Sequence, residues 1–471
     1  MEAYSQTFPA NVKKALADSQ LQFSMTETGP RFIYKRTKAR EALPEFDALR
    51  DQARDIKNHV LEHLDIYLER YEQKVIQSGG HVHWASTAEE ARAAILGICK
   101  RVDAKIVTKG KSMISEEIDL NKYLEEAGHT PVETDLGEYL IQLRGERPSH
   151  IIAPAVHLTR DQVEADFRKA HTHLDPNRDL SEIPTMVEEA RGVLRQKYLQ
   201  ADVGVTGANF LIAETGTSII VTNEGNGDLT QILPKVHIVI ASIEKIVPTL
   251  EDTATILRVL ARSATGQDFS NYTTLSTGPR REGDPDGPEE YHVVILDNGR
   301  SNVLGTEFQD MLRCIRCGAC LNHCPVYQAV GGHAYGWVYP GPIGSVVTPA
   351  LVGLKNAKHL PNASTFCGRC EEVCPMRIPL PKMLRHWREK EFEQHLQPQA
   401  MRWGMKAWGF LARRPKLYQF ATGLAARIMR NQGHGTGRLS KLPLAGGWTG
   451  TRDFPAPQGK TFQQMWKERS R

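Results

Sequence analysis

Seven of the eight cysteines in this chain fall in two short runs, and the spacing within them is that of iron–sulfur ligands. The first run, Cys314 to Pro325, reads C-I-R-C-G-A-C-L-N-H-C-P, which is C-x2-C-x2-C-x3-C-P. Three thiolates so spaced, on a loop with the small residues Gly318 and Ala319, can wrap one [4Fe–4S] cubane. The turn at Pro325 carries the fourth cysteine away toward a second cluster. The second run, Cys367 to Pro375, reads C-G-R-C-E-E-V-C-P and is one ligand short. Counting back from Cys374 with the same spacing puts Cys370 and Cys367 in the third and second positions and Ser364 in the first. Crossed ligation assigns Cys314, Cys317, Cys320 and Cys374 to cluster A, and Cys324, Cys367 and Cys370 to cluster B. The fourth iron of cluster B is held by Ser364, by another residue or by solvent, or is absent, which leaves [3Fe–4S].

Competing chemistries fit less well. Structural zinc favours two C-x2-C pairs over a four-cysteine run closed by proline. Disulfides need an oxidising compartment. Cys99, in A-A-I-L-G-I-C, is expected to be a small buried hydrophobe. K-G-K-S at Lys109–Ser112 lacks the first glycine of a P-loop, because Lys105 stands there. Gly204–Gly207 is a lone G-x-x-G, not a dinucleotide fingerprint. Glu214, beside apolar residues and Gly216, is either a carboxylate in a cleft or, more commonly, one bonded to nearby backbone. His171 and His173 lack further ligands at metal spacing and are expected on the surface. No G-x-S-x-G nucleophile elbow occurs.

The elements that must position the cysteines follow from periodicity. Residues 1–44 are polar and aperiodic, and read as an arm packed on the next domain. From Glu45 to Ser78 apolar residues recur at helical spacing, up to the stop at Gly79 and Gly80. Strand and helix patterns then alternate, with strands expected at 81–85, 105–108, 130–133 and 150–154. Ser86 with Glu89, Thr159 with Gln162 and Thr185 with Glu188 read as capping boxes, and a helix is expected from Ser115 to Gly128. Strands follow at 211–213, 218–222, 237–242 and 291–297, with a helix over 250–264. This alternation predicts a largely parallel α/β sheet. Tyr335, Trp337 and Tyr339, between the cysteine runs, either shield a cluster or pack in an ordinary core. A helix to about Leu396 comes next, then a tail in which basic and aromatic residues interleave. Residues after Asn431 are rich in Gly and Pro and are expected to be flexible.

With 471 residues, roughly two to four domains are expected. The net charge of +4 hides an asymmetry, since the segment from Arg385 onward carries 17 Lys and Arg against 5 Asp and Glu. Such a tail points to an anionic partner, a membrane face or a protein surface. Nucleic acid is not expected, because no zinc-finger, RRM or helix-turn-helix signature accompanies the charge. No basic-then-apolar leader and no run of about 18 apolar residues is visible. Together with ligand-type cysteines this suggests a cytoplasmic protein.

Taken together, V-T-K-G-K-S-M-I-S-E-E-I at Val107–Ile118, G-A-N-F-L-I-A-E-T-G-T at Gly207–Thr217, P-K-V-H-I-V at Pro234–Val239 and the two cysteine runs resemble the lactate-utilisation iron–sulfur proteins, specifically the protein B family. The resemblance implies a CoA-transferase- or sugar-isomerase-like α/β domain, a helical dicluster ferredoxin-like segment and a basic helical tail. It divides the chain into an N-terminal arm and helix (1–69), the α/β domain (70–300), the two-cluster domain (301–385) and the basic C-terminal region (386–471). It further implies an electron carrier, without catalytic residues of its own, in the oxidation of L-lactate to pyruvate beside two partner proteins. The alternative is an oxidoreductase whose α/β domain binds a small organic acid or thioester and passes electrons to the clusters.

Overall fold

The computed structural model describes residues 5–442, 446–450 and 452–469, in two units, Met1–Glu391 and Phe392–Arg471. The strands of the first unit are β1 (His81–Ala85), β2 (Ile106–Gly110), β3 (Thr130–Glu133), β4 (Val203–Gly207), β5 (Phe210–Ile212), β6 (Thr217–Thr222), β7 (Val236–Ser242), β8 (Ile246–Val247), β9 (Tyr272–Ser276) and β10 (Glu290–Leu296). Six of them form one parallel sheet in the order β1-β10-β7-β4-β2-β3. β4 and β7 are buried along their whole length; β7 reads as an apolar run, whereas β4, V-G-V-T-G, was not expected as a strand because its glycines interrupt the apolar pattern. On β10, Tyr291, Val293 and Ile295 face one core while Val294 and Leu296 face the other. The chain runs from β2 outward to β3, then returns through β4, β7 and β10 toward the opposite edge. The direction therefore reverses between β2 and β4. A smaller sheet, β8-β5-β6-β9, carries the antiparallel β5–β6 hairpin.

Residues 1–44 differ most from expectation. They form two helices, α1 (Phe8–Ala17) and α2 (Ser19–Glu41), and Asp18 caps the second by accepting from the amides of Gln20 and Leu21. The helical pattern is hidden because α2 packs through polar side chains, not through an apolar stripe. Gln22 donates to the Ala329 carbonyl at 2.9 Å and Arg36 to the Val373 carbonyl at 2.7 Å, so this helix grips the segment that carries the cysteines. The long helix expected over 45–78 is broken at His63 into α3 (Phe46–Glu62) and α4 (Leu64–Gln77). Asp119, at φ 58°, interrupts the helix expected over 115–128.

Three local expectations need correction. Residues 150–154 are a loop and not a strand, because His150 turns back to accept from the amides of Ile152 and Ala153. The helix Ile183–Leu199 begins after Glu182 with Pro184 in its first turn, so Thr185 lies inside it and is no cap. The cap expected at Ser86 falls one residue later, where Thr87 accepts from the Glu90 amide at 3.2 Å and Glu90 accepts from the Ser86 amide at 2.6 Å. The Thr159–Gln162 capping box is present.

The cysteine-bearing segment is built from short helical turns and the helices Gly341–Val352 and Leu380–Glu393. In the second unit, Gln399–Ala412 and Pro415–Gln432 are helical. Beyond Asn431 the described residues include a strand pair, Arg438–Leu439 with Phe454–Pro455, and a helix at Phe462–Arg469, where a flexible segment was expected.

A buried charge network joins the sheet to the cysteine-bearing segment. Arg300 donates to both oxygens of Glu117, at 3.0 and 2.6 Å, and lies 3.1 Å from Glu244. Tyr339 donates its hydroxyl to Glu117 at 2.7 Å. Burial alone would raise the Glu244 carboxyl, but Arg300, Arg316 and Lys245 outweigh it and hold it at about 2. A carboxyl whose pKa is depressed on folding stabilises the fold above its unfolded value and loses that contribution as pH falls. The near-UV dichroism of the chain should therefore fall between pH about 4.5 and about 2, and Glu244→Gln should flatten this limb. Superimposable acid curves for the two proteins would contradict the assignment.

Candidate iron–sulfur centres and the adjoining cleft

The two cysteine runs share one backbone design. In each, a residue with positive φ precedes a Cys-Gly pair, and a helical turn follows. Arg316 (φ 60°) and Gly318 (φ 72°) flank Cys317 ahead of the turn Ala319–Asn322. Phe366 (φ 53°) and Gly368 (φ 81°) flank Cys367 ahead of the turn Arg369–Glu372. Left-handed backbone costs a non-glycine residue about 1–2 kcal/mol, so both loops are held in shape by their surroundings. A Cβ on Gly318 would lie 2.9 Å from His150 Cε1. The loop 149–154 is thus pressed onto the first run, and His150 Nε2 donates to Asn322 Oδ1 at 3.0 Å. Burial lowers His150 to about 4, which keeps it neutral in that role.

The seven cysteines gather in two groups. Cys314, Cys317, Cys320 and Cys374 line one small cavity walled by Ile151, Ile315, Ile343, Met376, Ile378 and Leu380. Burial first, and then Cys374 and Cys314, push the Cys317 thiol up to about 12. Cys324, Cys367 and Cys370 interact in the same way, with burial, Cys324 and Cys367 pushing Cys370 up to about 12. Such crowding of buried sulfurs disfavours free thiolates. A soft cation relieves it, since metal binding deprotonates the thiol and neutralises the repulsion. Soft donors in an apolar shell therefore fit iron–sulfur clusters. In the first group Cys317 and Cys374 are buried and Cys314 and Cys320 half-buried; in the second Cys324 and Cys370 are buried and Cys367 is exposed. Ser364 lies near the second group in sequence, and its hydroxyl accepts from the Phe366 amide at 3.1 Å.

Arginines from the N-terminal helices hold the second run in place. Arg50, on α3, donates to the carbonyls of Cys374 and Glu372 at 2.7 Å, and Arg36 to that of Val373. Both guanidinium groups are buried. No spacing rule marks these residues in the sequence, because they reach backbone oxygens more than 300 residues away.

A cleft of about 400 Å³ opens beside the first group. Its floor is formed by the carboxyl ends of β2 and β4, and a Cβ on Gly207 would lie 2.5 Å from the Lys111 carbonyl, so only glycine permits that approach. Ile151, Ile315 and Arg316 line both this cleft and the thiol cavity. Lys245 also faces the cleft, lowered to about 8 by burial and then by Arg316.

Other candidates take structural roles. Glu214 accepts from the Leu250 amide at 2.8 Å, at the start of the helix Leu250–Ala264, as a backbone-bonded glutamate does. Lys109 is buried between Glu116 and Glu133, and Lys111 pairs with Asp135 and Glu224. His171, expected on the surface, is buried between Glu189 and Tyr139, while His173 is exposed. Tyr335, Trp337 and Tyr339 are all buried, as is Cys99.

The LUD domain family matches residues 68–296, the 4Fe-4S dicluster domain family residues 310–378, and the family "Lactate utilisation protein B, C-terminal" residues 369–471. Lactate utilization protein B of Bacillus pumilus is 42% identical over 476 residues, covering 100% of this chain and 99% of its own. That of Lysinibacillus sphaericus is 43% identical over 475 residues (100% and 98%), and that of Bacillus subtilis 42% over 474 residues (100% and 98%). A crystal structure of a DUF162 family protein from Deinococcus radiodurans covers 50% of this chain and 98% of its own at 18% identity, with a TM-score of 0.26. The full-length identity and the cysteine-lined centres lead to one conclusion: the chain belongs to the lactate utilization protein B family and carries iron–sulfur clusters.

Proposed function

We propose that this chain is the electron-transfer component of a multi-subunit, cytoplasmic system that oxidises L-lactate to pyruvate. In this reading Cys314, Cys317, Cys320 and Cys374 hold a [4Fe–4S] cluster A. Cys324, Cys367 and Cys370 hold cluster B, [4Fe–4S] or [3Fe–4S], with Ser364 at the vacant position. Residues 301–385 are the two-cluster domain, set between the α/β domain (70–300), itself preceded by the arm and helix (1–69), and the basic region (386–471). Two further lactate-utilisation proteins, one of them lactate-oxidising, are its partners. The observation that carries the reading is the pair of thiol groups, one lining a cavity beside the α/β cleft and the other reaching the surface at Cys367.

When bound, such clusters accept and release single electrons. Removal of two electrons and two protons from a 2-hydroxy acid therefore calls for a partner with its own cofactor. The residues of this chain bind, shield and bias the clusters. The isoleucines around the first thiol group exclude water, and buried Arg36 and Arg50 set positive charge beside the second run.

The loaded chain alone should leave a redox dye unreduced in the presence of L-lactate, and adding its partners should start turnover. Cys317→Ser or Cys370→Ser should abolish turnover while partner binding persists. Lactate turnover by the isolated chain, or by the partners with a cluster-free chain, would refute the relay.

Three thiolates leave cluster B the more labile centre. Mild oxidation should produce a [3Fe–4S] EPR signal that Ser364→Cys suppresses. Equal resistance of both clusters, with no effect of the substitution, would remove Ser364 from the vacant position.

The tail supplies an anion-seeking surface, assigned to the inner face of the membrane. The helix Gln399–Ala412 buries none of its residues, and exposed Trp403, Trp408 and Phe420 interleave with Arg402, Lys406, Arg413, Arg414 and Lys416. No helix among the described residues is long and apolar enough to cross a membrane. Charge reversal at Arg413, Arg414 and Lys416 should release the chain from anionic vesicles, and salt should weaken binding as the screening length shrinks below ~8–10 Å. Undiminished vesicle binding after either change would count against this surface.

A further inference from the structure

The cleft beside the first thiol group has no task in an electron relay, yet it is built like a binding site. It lies where the sheet reverses direction, between the carboxyl ends of β2 and β4, which is where open α/β sheets bind ligands. Its volume of about 400 Å³ suits a small molecule. Charge is unevenly spread along it. At one end Lys111 is paired with Asp135 and Glu224, and carboxylates are in excess. At the other stand Lys245 and Arg316, next to the cavity that holds Cys314.

These two cations are incompletely satisfied. Lys245 makes no hydrogen bond or close ion pair among the described residues. Arg316 Nη1 is buried without a partner, and its Nη2 lies 3.7 Å from Glu244. The guanidinium sits over the Tyr339 ring, 4.3 Å from its centre. Arg300, Arg316 and Lys245 gather about Glu244, with Glu117 as a second carboxylate on Arg300. A planar carboxylate matches the open edge of a guanidinium fork. One stretch of the wall is apolar, formed by Ile152, Leu260, Ala261 and Ala264.

We propose that this cleft binds a small organic carboxylate, its charged group between Lys245 and Arg316 and its short hydrocarbon chain along the wall of Ile152, Leu260 and Ala264. The proposal goes beyond the relay and does not depend on it, because binding is read without redox partners. If Lys245 and Arg316 serve only as counter-charges to the thiolates, no carboxylate will bind.

The test is anaerobic titration calorimetry of the cluster-loaded chain with acetate, pyruvate, 4-methyl-2-oxopentanoate and inorganic phosphate. Saturable binding should tighten from pyruvate to the longer acid, by roughly fourfold per buried methylene. Lys245→Met should weaken it at least ~10-fold while iron content stays unchanged. Arg316 lies within the cysteine run, so Arg316→Met risks the cluster. Ala264→Trp fills the wall without altering charge and should also abolish binding. Three results would overturn the proposal: no saturable binding of any carboxylate up to ~10 mM, tighter binding of phosphate than of the carboxylates, or binding undiminished in both Lys245→Met and Ala264→Trp.

Discussion

Four sulfurs must share one small, apolar cavity, and one of the four comes from a different run of the chain. Cys314, Cys317 and Cys320 arrive together on a loop, but Cys374 has to be brought across from the second run and kept there. Much of the remaining architecture serves this requirement. Arg36 and Arg50 grasp the carbonyls from Glu372 to Cys374. Hydrogen bonds to a charged donor are each worth about 1.5–3 kcal/mol net, enough together to offset a good part of the crowding. Burying two arginines would be costly if they had no partners. Here they gain carbonyl oxygens, and their charges oppose that of the thiolates.

The α/β sheet enters through the same joint. The short helix Met113–Glu117 after β2 and the turn after β7 send Glu117 and Glu244 to Arg300, and Tyr339 from the cysteine-bearing segment closes the network on Glu117. The loop 149–154, which follows the sheet's edge strand β3 in the chain, lies against Gly318 with no room for a side chain. Sheet and cysteine-bearing segment are thus keyed together by one buried ionic network and one steric contact. Both fix the cleft's inner wall relative to the thiol cavity.

The sequence made the chemistry more legible than the mechanics. Cysteine spacing is local, so both runs and the missing eighth cysteine could be read directly. Five of the six strands of the parallel sheet were also visible, because continuous apolar runs such as V-H-I-V-I-A-S have few other homes, but β4, V-G-V-T-G, was missed because its two glycines broke the run. What escaped was everything that works through polar long-range contact. Helix α2 carries no apolar stripe, so its glutamine and arginine contacts with residues 329 and 373 left no periodic trace. Loop 149–154 resembled a strand because its isoleucines face two cavities and not a sheet. His171 looked like a surface histidine because its partners, Tyr139 and Glu189, lie on other helices.

Arg316 concentrates these constraints in one residue. Its left-handed backbone costs about 1–2 kcal/mol, and its position between Cys314 and Cys317 would tolerate glycine. Two unit charges about 4 Å apart attract by about 4 kcal/mol at an effective dielectric of 20, and Glu244 lies 3.7 Å away. The gross attraction exceeds the strain, so the residue is held with its guanidinium in the cleft wall and its amide 3.4 Å from the Cys314 sulfur. Glu244 and Lys245 are neighbours in the turn after β7, the first directed at the arginines and the second into the cleft. Any negative charge placed in the cleft therefore acts on the same arginine that faces the first thiol group, and coupling between the two sites needs no moving part.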